Sequence, residues 1–366
     1  MYFCKNFFLQ VVKAVNKRKA VAIWLIIGVV MIMIQVLLGG VTRLTGSGLS
    51  ITEWKPIMGA LPPMNEAAWN KAFEGYKQIA QYKYLNSHFT LQDFQFIFFW
   101  EWLHRLWARL LGVVFAIGFV YFLVRKYFDK EMILPLVILF ILGALQGLIG
   151  WIMVQSGLNE NDLYVNHIKL AAHFIAALLL LCYTLWFALQ LLVKEEARIF
   201  NPGLRSLVML TLFLLLIQLT YGAFMAGLKA APSAPTFPLI NGDWVPATII
   251  EKSWVNHPIN VQFVHRQLAY LLATVLIFLS AAMYRNAKKF DSSLLKRFSV
   301  YTVVLVLLQV LLGIATILLA PKMGTQRFGS YELMAEAHQL IAMLLLCALV
   351  TDFFLIRSIR VKTTVA

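Results

Sequence analysis

Eight long apolar runs divide this chain, near residues 21–41, 94–123, 133–154, 168–193, 204–228, 261–283, 298–320 and 333–356. A helix needs roughly 20 apolar residues to cross the hydrocarbon core of a bilayer, and each run supplies about that many or more. Lipid offers no water to the backbone, so each crossing must satisfy its own amides, and a helix does this within one segment. The chain is 61% hydrophobic and only 13% charged, more apolar than a soluble domain requires. The expected fold is an all-α polytopic membrane protein with eight transmembrane helices.

The formal net charge of +15 could suggest a nucleic-acid partner. The basic residues are instead dispersed into short connections: Arg125, Lys126 and Lys130; Lys194, Arg198 and Arg205; Arg285, Lys288, Lys289, Lys296 and Arg297. With Lys5, Lys13, Lys17, Arg18 and Lys19 at the start and Arg357, Arg360 and Lys362 at the end, these account for nineteen of the 32 Lys and Arg. Only six of the 17 acids share them, so both termini and the three short connections are expected in the cytoplasm, with no nucleic acid involved. A basic start leading into an apolar run without a small-residue cleavage site reads as a retained first helix. The lack of a long Arg/Ser-rich leader favours a bacterial inner-membrane protein over an organellar precursor. Cys4 lies at the N-terminus and Cys182 and Cys347 in apolar runs, so no pair is placed for a loop disulfide.

The connections on the other side are longer. In residues 42–93, Asn65 is placed to cap a helix with Trp69, Phe73, Tyr76 and Ala80 on one face, expected to lie as an amphipathic helix on the outer surface. Residues 229–259 carry Pro232, Pro235, Pro238, Pro246 and Pro258 and should form an ordered loop without long elements.

The chain also repeats. Gln-x-x-x-Gly occurs in all four odd-numbered runs, at Gln35/Gly39, Gln146/Gly150, Gln218/Gly222 and Gln309/Gly313. In the even-numbered runs His104-Arg105 matches His265-Arg266, and His173 matches His338. Two pseudo-symmetric four-helix bundles of the same orientation, 1–198 and 199–366, are the simplest account. His88, His167 and His257 belong to outer loops or helix mouths. The other four histidines lie a turn or two inside the outer ends of the even-numbered runs, at matched depth.

One intramembrane histidine is commonly a helix–helix hydrogen-bond donor. Two imidazoles from neighbouring helices at one depth suit an axial pair for a haem iron. Zinc would want a third or fourth ligand, for which only Glu101 and Glu336 are near in sequence. Arg105 and Arg266 could pair with haem propionates, or else anchor the helices at the interface. Glu101 stands three residues before His104, one helical turn away, whereas Gln262 precedes His265. An electron-transfer site needs only axial ligands, while a reacting site needs a group that moves protons. The 1–198 bundle is thus expected to hold the chemistry and the 199–366 bundle a resident haem. The competing reading is a b-type electron-transfer cytochrome with two bis-histidine haems, for which the Glu/Gln difference would have no use.

The runs GGVTRLTGSGLSITEWKPIMGALPP at 39–63, EWLHR at 101–105, VQFVHRQLAYLL at 261–272 and EAHQLIAMLLL at 336–346 together resemble the haem A synthase family, over nearly the whole chain. That resemblance implies an enzyme that oxidises a methyl group of haem O to a formyl group, making haem A for cytochrome oxidase. It implies that His265 and His338 ligate haem b, that His104 and His173 flank the substrate haem iron, and that Glu101 takes part in the oxidation. Members with paired outer-loop cysteines rely on a disulfide that this chain cannot form, so it resembles the cysteine-free branch of proteobacteria and mitochondria. The setting implied is an inner membrane with the haem sites toward its outer side. Haem O synthase, an electron donor such as a quinol or ferredoxin, membrane lipids and further copies of the chain are the partners expected there.

Overall fold

The computed structural model describes residues 2–53 and 58–357, with side chains from residue 17 onward except that of Met58. The side chains of Cys4, Lys5 and Lys13, residues 54–57 of the 39–63 run, and Arg360 and Lys362 fall outside the described residues. Eight helices are long and apolar enough to cross a membrane, one for each apolar run. In chain order they are α1 (Tyr2–Leu44), α3 (Leu91–Val124), α4 (Lys130–Gln155), α5 (His167–Leu192), α6 (Pro202–Gly227), α8 (Pro258–Lys289), α9 (Ser293–Leu318) and α10 (Ser330–Leu355). Two shorter helices, α2 (Glu66–Lys77) and α7 (Thr248–Glu251), belong to the long connections. The chain is an all-α polytopic membrane protein.

Local chemistry sets the helix ends. Thr90 and Asp93 form a reciprocal capping box at the start of α3, satisfying amides that the first turn leaves unpaired. Asn166, Asn201 and Ser292 cap α5, α6 and α9 through side-chain oxygens, and Pro202 begins α6 where no amide donor is needed. After Leu44 the chain turns through Gly46, whose φ of 69° is open to glycine at little steric cost.

Packing follows one scheme used twice. In the first four spans α1 packs on α3 and α5, and α4 packs on α5. In the last four, α6 packs on α8 and α10, and α9 packs on α10. The two sets meet through α1 with α10, α5 with α6 and α5 with α10, around a core that includes Leu181, Leu276, Leu279, Met283, Met343 and Leu349. One contact breaks the match. α8 packs along α9, whereas α3 and α4 meet only marginally, through the Phe115 and Phe140 rings at 6.4 Å.

At the end bearing the basic connections, β1 (Ile199–Phe200) pairs in parallel with β2 (Ile356–Arg357). Arg205 fastens this corner by donating to the carbonyls of Phe353, at 2.7 Å, and Ile356.

The 42–93 connection differs from expectation in what its helix covers. Asn65 does cap α2, accepting from the Ala68 amide at 2.9 Å. The apolar face of α2, however, packs on the outer extension of α3. Phe73 stacks on Phe94 at 5.0 Å and Trp69 meets Phe98 edge-on at 5.0 Å. Ala80 is buried beyond the helix end. Burying several aromatic rings against protein outweighs laying them on lipid headgroups, because each ring gains close-packed neighbours.

Tyr76 is the centre of this layer. Its hydroxyl donates to Gln81 Oε1 at 3.0 Å and accepts from Asn86 at 2.7 Å, and burial pushes its pKa up to about 12. The native layer therefore favours the neutral phenol. Its contribution is fully present below pH 10, the ordinary phenol value, and drains away as pH rises from about 10 to about 12. We expect cleavage around α2 by an alkali-tolerant subtilisin, which does not read lysine charge, to accelerate across that window in the wild type. In Tyr76→Phe this acceleration should largely vanish; the same pH dependence in the variant would refute the assignment.

Candidate functional site

The repeated Gln-x-x-x-Gly motif acquires a physical meaning once the helices are packed. Each glycine faces the ring of one of the four matched histidines. A Cβ built on Gly39 would lie 3.3 Å from His104 Nε2, and one on Gly222 3.4 Å from His265 Cε1. Built on Gly150 it would lie 2.8 Å from His173 Cε1, and on Gly313 3.0 Å from His338 Cε1. A Cβ at Gly150, Gly313 or Gly39 would make the ring or a helix give way, while one at Gly222 would just touch the ring. In three of the four motifs the glutamine one turn away also engages the same ring. Gln146 Nε2 lies 3.3 Å from His173 Nδ1, Gln218 Nε2 3.4 Å from His265 Nε2, and Gln309 Nε2 3.2 Å from His338 Nε2. Sequence reading recognised the repeat without connecting it to the histidines, because the connection runs between helices.

The four histidines form two pairs, one in each set of spans: His104 on α3 with His173 on α5, and His265 on α8 with His338 on α10. The His265 and His338 rings face one another at 6.5 Å between centroids, inclined at 73°. Two metal–imidazole bonds of about 2.0 Å, with the ring radii added, place the centroids of an axial pair about 6 Å apart. His338 Nδ1 lies 3.1 Å from the Gln309 carbonyl, to which its N–H donates, so its Nε2 carries the lone pair, which here faces the Gln309 amide and which a metal would take in its place. His265 Nδ1 is buried without a hydrogen-bond partner. The donor set and spacing fit a haem, and His265 and His338 could hold its iron. Among the described residues no comparable ring contact joins His104 and His173.

The carboxylates do not join these pairs. Glu336 turns toward Gly40 of α1, with both oxygens buried and unpartnered. Glu101, 2% exposed, is instead crowded with donors. Its Oε2 accepts from Ser50 Oγ at 2.7 Å and from the Ile51 amide at 2.8 Å, while Arg105 donates to Oε1 at 2.5 Å. Arg105 also donates to the Ile51 carbonyl at 3.1 Å. Together they clamp the loop that follows α1.

The other set repeats the clamp with different atoms. Gln262 donates to the Ala234 carbonyl at 2.7 Å, and Arg266 donates to Ala234 at 3.0 Å and Leu239 at 3.3 Å. In both sets the residue three before the first histidine and the arginine after it hold a long connecting loop across that histidine's end of the bundle. Ser50, Ile51 and Ala234 carry no motif of their own, so nothing in sequence marked them. Arg105 and Arg266, read as propionate partners, spend these hydrogen bonds on loop carbonyls. Of the remaining histidines, His167 contacts the Val255 carbonyl at 3.0 Å, and His257 stands at the N-terminal boundary of α8 without a side-chain capping bond.

With this geometry in view, known proteins locate the chain. The family model for COX15-CtaA, described as cytochrome oxidase assembly protein, matches residues 22–350. A heme A synthase of Rhodospirillum centenum is 44% identical over 306 residues, covering 82% of this chain and 81% of its own length. The heme A synthase of Flavobacterium psychrophilum is 39% identical, covering 83% of this chain and 91% of its own, and that of Nitrosomonas eutropha 38% identical, covering 92% and 93%. With a match from within the first span to within the last, the chain belongs to the COX15-CtaA family of cytochrome oxidase assembly proteins.

Proposed function

We propose that this chain is a haem A synthase, an oxidoreductase of haem biosynthesis that converts a methyl group of haem O to the formyl group of haem A. The observation that carries this reading is four imidazoles, each seated on a glycine of a repeated motif, arranged as two pairs with one at the spacing of an axial metal pair. The relatives' common name supplies the product, haem A, and the family resemblance the substrate, haem O. In this reading residues 1–198 bind haem O and residues 199–366 bind haem b. His265 and His338 hold the iron of haem b, and His104 and His173 flank the iron of haem O. When bound, haem b supplies one-electron transfer.

The chain's own residues do the rest. Glu101 lies one turn from His104, within the layer that faces the substrate, and serves as the group that holds or passes a proton there. Arg105 and Ser50 fix its orientation, and the clamped loop keeps bulk water from the ring pair. Arg266 does the same for the loop above haem b. The chain is placed in a bacterial inner membrane with both termini cytoplasmic and the haem sites toward the outer side. Haem O synthase and an electron donor such as a quinol or ferredoxin are its functional neighbours.

The division of labour predicts distinct spectra. His265→Ala or His338→Ala should remove the b-type spectrum, whereas His104→Ala and His173→Ala should keep it and abolish haem A formation. Equal bleaching by all four would show that the two pairs do not differ in role.

Glu101→Gln should retain haem b and lower haem A per folded protein by at least about 100-fold, or stall conversion at the alcohol. Ser50→Ala removes one clamp bond and leaves the carboxylate, so it should cost far less. If Ser50→Ala matches Glu101→Gln, the carboxylate acts only through the loop.

Orientation is checked by fusing reporters to the C-terminus. A cytoplasm-dependent reporter should be active and one that works only outside the membrane silent.

A further inference from the structure

The two sets of spans differ in one packing contact, and the difference leads to the first histidine pair. α8, α6, α10 and α9 form a closed ring around His265 and His338, because α8 packs along α9. The corresponding ring of α3, α1, α5 and α4 is open between α3 and α4. Only 6% of the apolar window of α3 is buried, against 28% for α8. A membrane helix that gains protein contacts on one flank alone leaves the other to lipid.

The side chains along the gap match its openness. Around Gly112, Gly143 and Gly147 a Cβ would meet nothing within 4 Å. At the positions corresponding to Gly143 and Gly147 the last four spans carry Val306, which is 3% exposed, and Val310. Where Gly112 stands they carry Ala273, packed against the core. Helical geometry turns Gly143, Gly147 and Phe140 to the same flank of α4. That flank faces α3, because Phe140 meets Phe115. The Phe115–Phe140 contact floors the gap on the side of the basic connections. At its other end Gly150 touches the His173 ring. From Gly150 to Phe140 the gap runs roughly 15 Å at the helical rise.

We infer that this seam between α3 and α4 receives the isoprenoid chain of haem O, giving a lipid-soluble substrate lateral access from the bilayer to His104 and His173. The inference rests on the proposed function. Haem O differs from protohaem by a farnesyl-derived chain, an apolar ligand that extends over a comparable length and partitions into lipid. An open seam admits and releases such a molecule, while the closed ring of the last four spans retains a resident haem. The stretch flanked by Phe115, Phe140, Gly143 and Gly147 is apolar, so it selects by length and volume rather than by hydrogen bonds.

The test places valine, the residue of the closed ring, into the open one. Gly143→Val with Gly147→Val in the full-length membrane protein should leave the haem b spectrum unchanged. Haem O and protohaem are then titrated separately into the protein and followed by difference absorbance. Haem O binding should weaken by about tenfold or more, while protohaem binding stays within about twofold. The KM for haem O should rise with kcat little altered. Unchanged haem O affinity would overturn the inference and leave the seam to lipid. Equal weakening of both haems would overturn it too, placing the effect at the histidines instead of the tail. Should the double valine variant lose haem b, the Gly143→Ala, Gly147→Ala pair decides by the same two titrations, with a smaller loss confined to haem O. A wild type that neither binds nor converts haem O would defeat the proposed function itself, and this inference with it.

Discussion

An imidazole ring between two packed helices needs room that a Cβ would fill. That steric demand governs the arrangement of this protein more than any single hydrogen bond. Four glycines supply the room, each one turn from a glutamine, and three of those glutamines (Gln146, Gln218 and Gln309) reach the ring. The glycine fixes how closely the neighbouring helix approaches, and the glutamine offers a polar neighbour to a ring that lipid would leave unsolvated. Because protein interiors are close-packed, a side chain added at Gly150 or Gly313 would displace the ring or the helix that carries it.

Above each first histidine sits the second recurring device, a side chain and an arginine that fasten a long connecting loop. Glu101 and Gln262 occupy equivalent places, yet one accepts from the loop and the other donates to it. A carboxylate needs donors, and Ser50, the Ile51 amide and Arg105 provide them. An amide can donate, and the Ala234 carbonyl receives. The loops are therefore built to suit the residue beneath them, which gives the Glu/Gln difference a structural consequence alongside the chemical one. Buried Glu101 beside Arg105 is a charge pair whose desolvation is offset only because its hydrogen bonds are made.

The asymmetry of helix packing bears on the same division. A helix pair closed by Val306 and its neighbours buries apolar surface and makes a stable enclosure. A pair that presents Gly143 and Gly147 has little side-chain volume with which to close. In lipid no hydrophobic force compels closure, so van der Waals contact decides, and glycines without a partner backbone opposite supply little of it.

The sequence alone determined the eight spans, their helical nature and the identities of the four histidines, because the bilayer imposes one length and one secondary structure on every crossing. The cap at Asn65 was equally legible, since capping is local. What α2 covers was not, because an amphipathic face records that something apolar lies against it without saying whether that is lipid or Phe94. The loop residues that meet Glu101 lie about fifty positions away and carry no periodic signal. The gap between α3 and α4 was also hidden, since residues 110–120 of α3 and 132–145 of α4 are apolar on every face and hydropathy cannot separate a side that touches protein from one that touches lipid. Only tertiary packing decides those matters, because it alone sets which apolar surfaces meet.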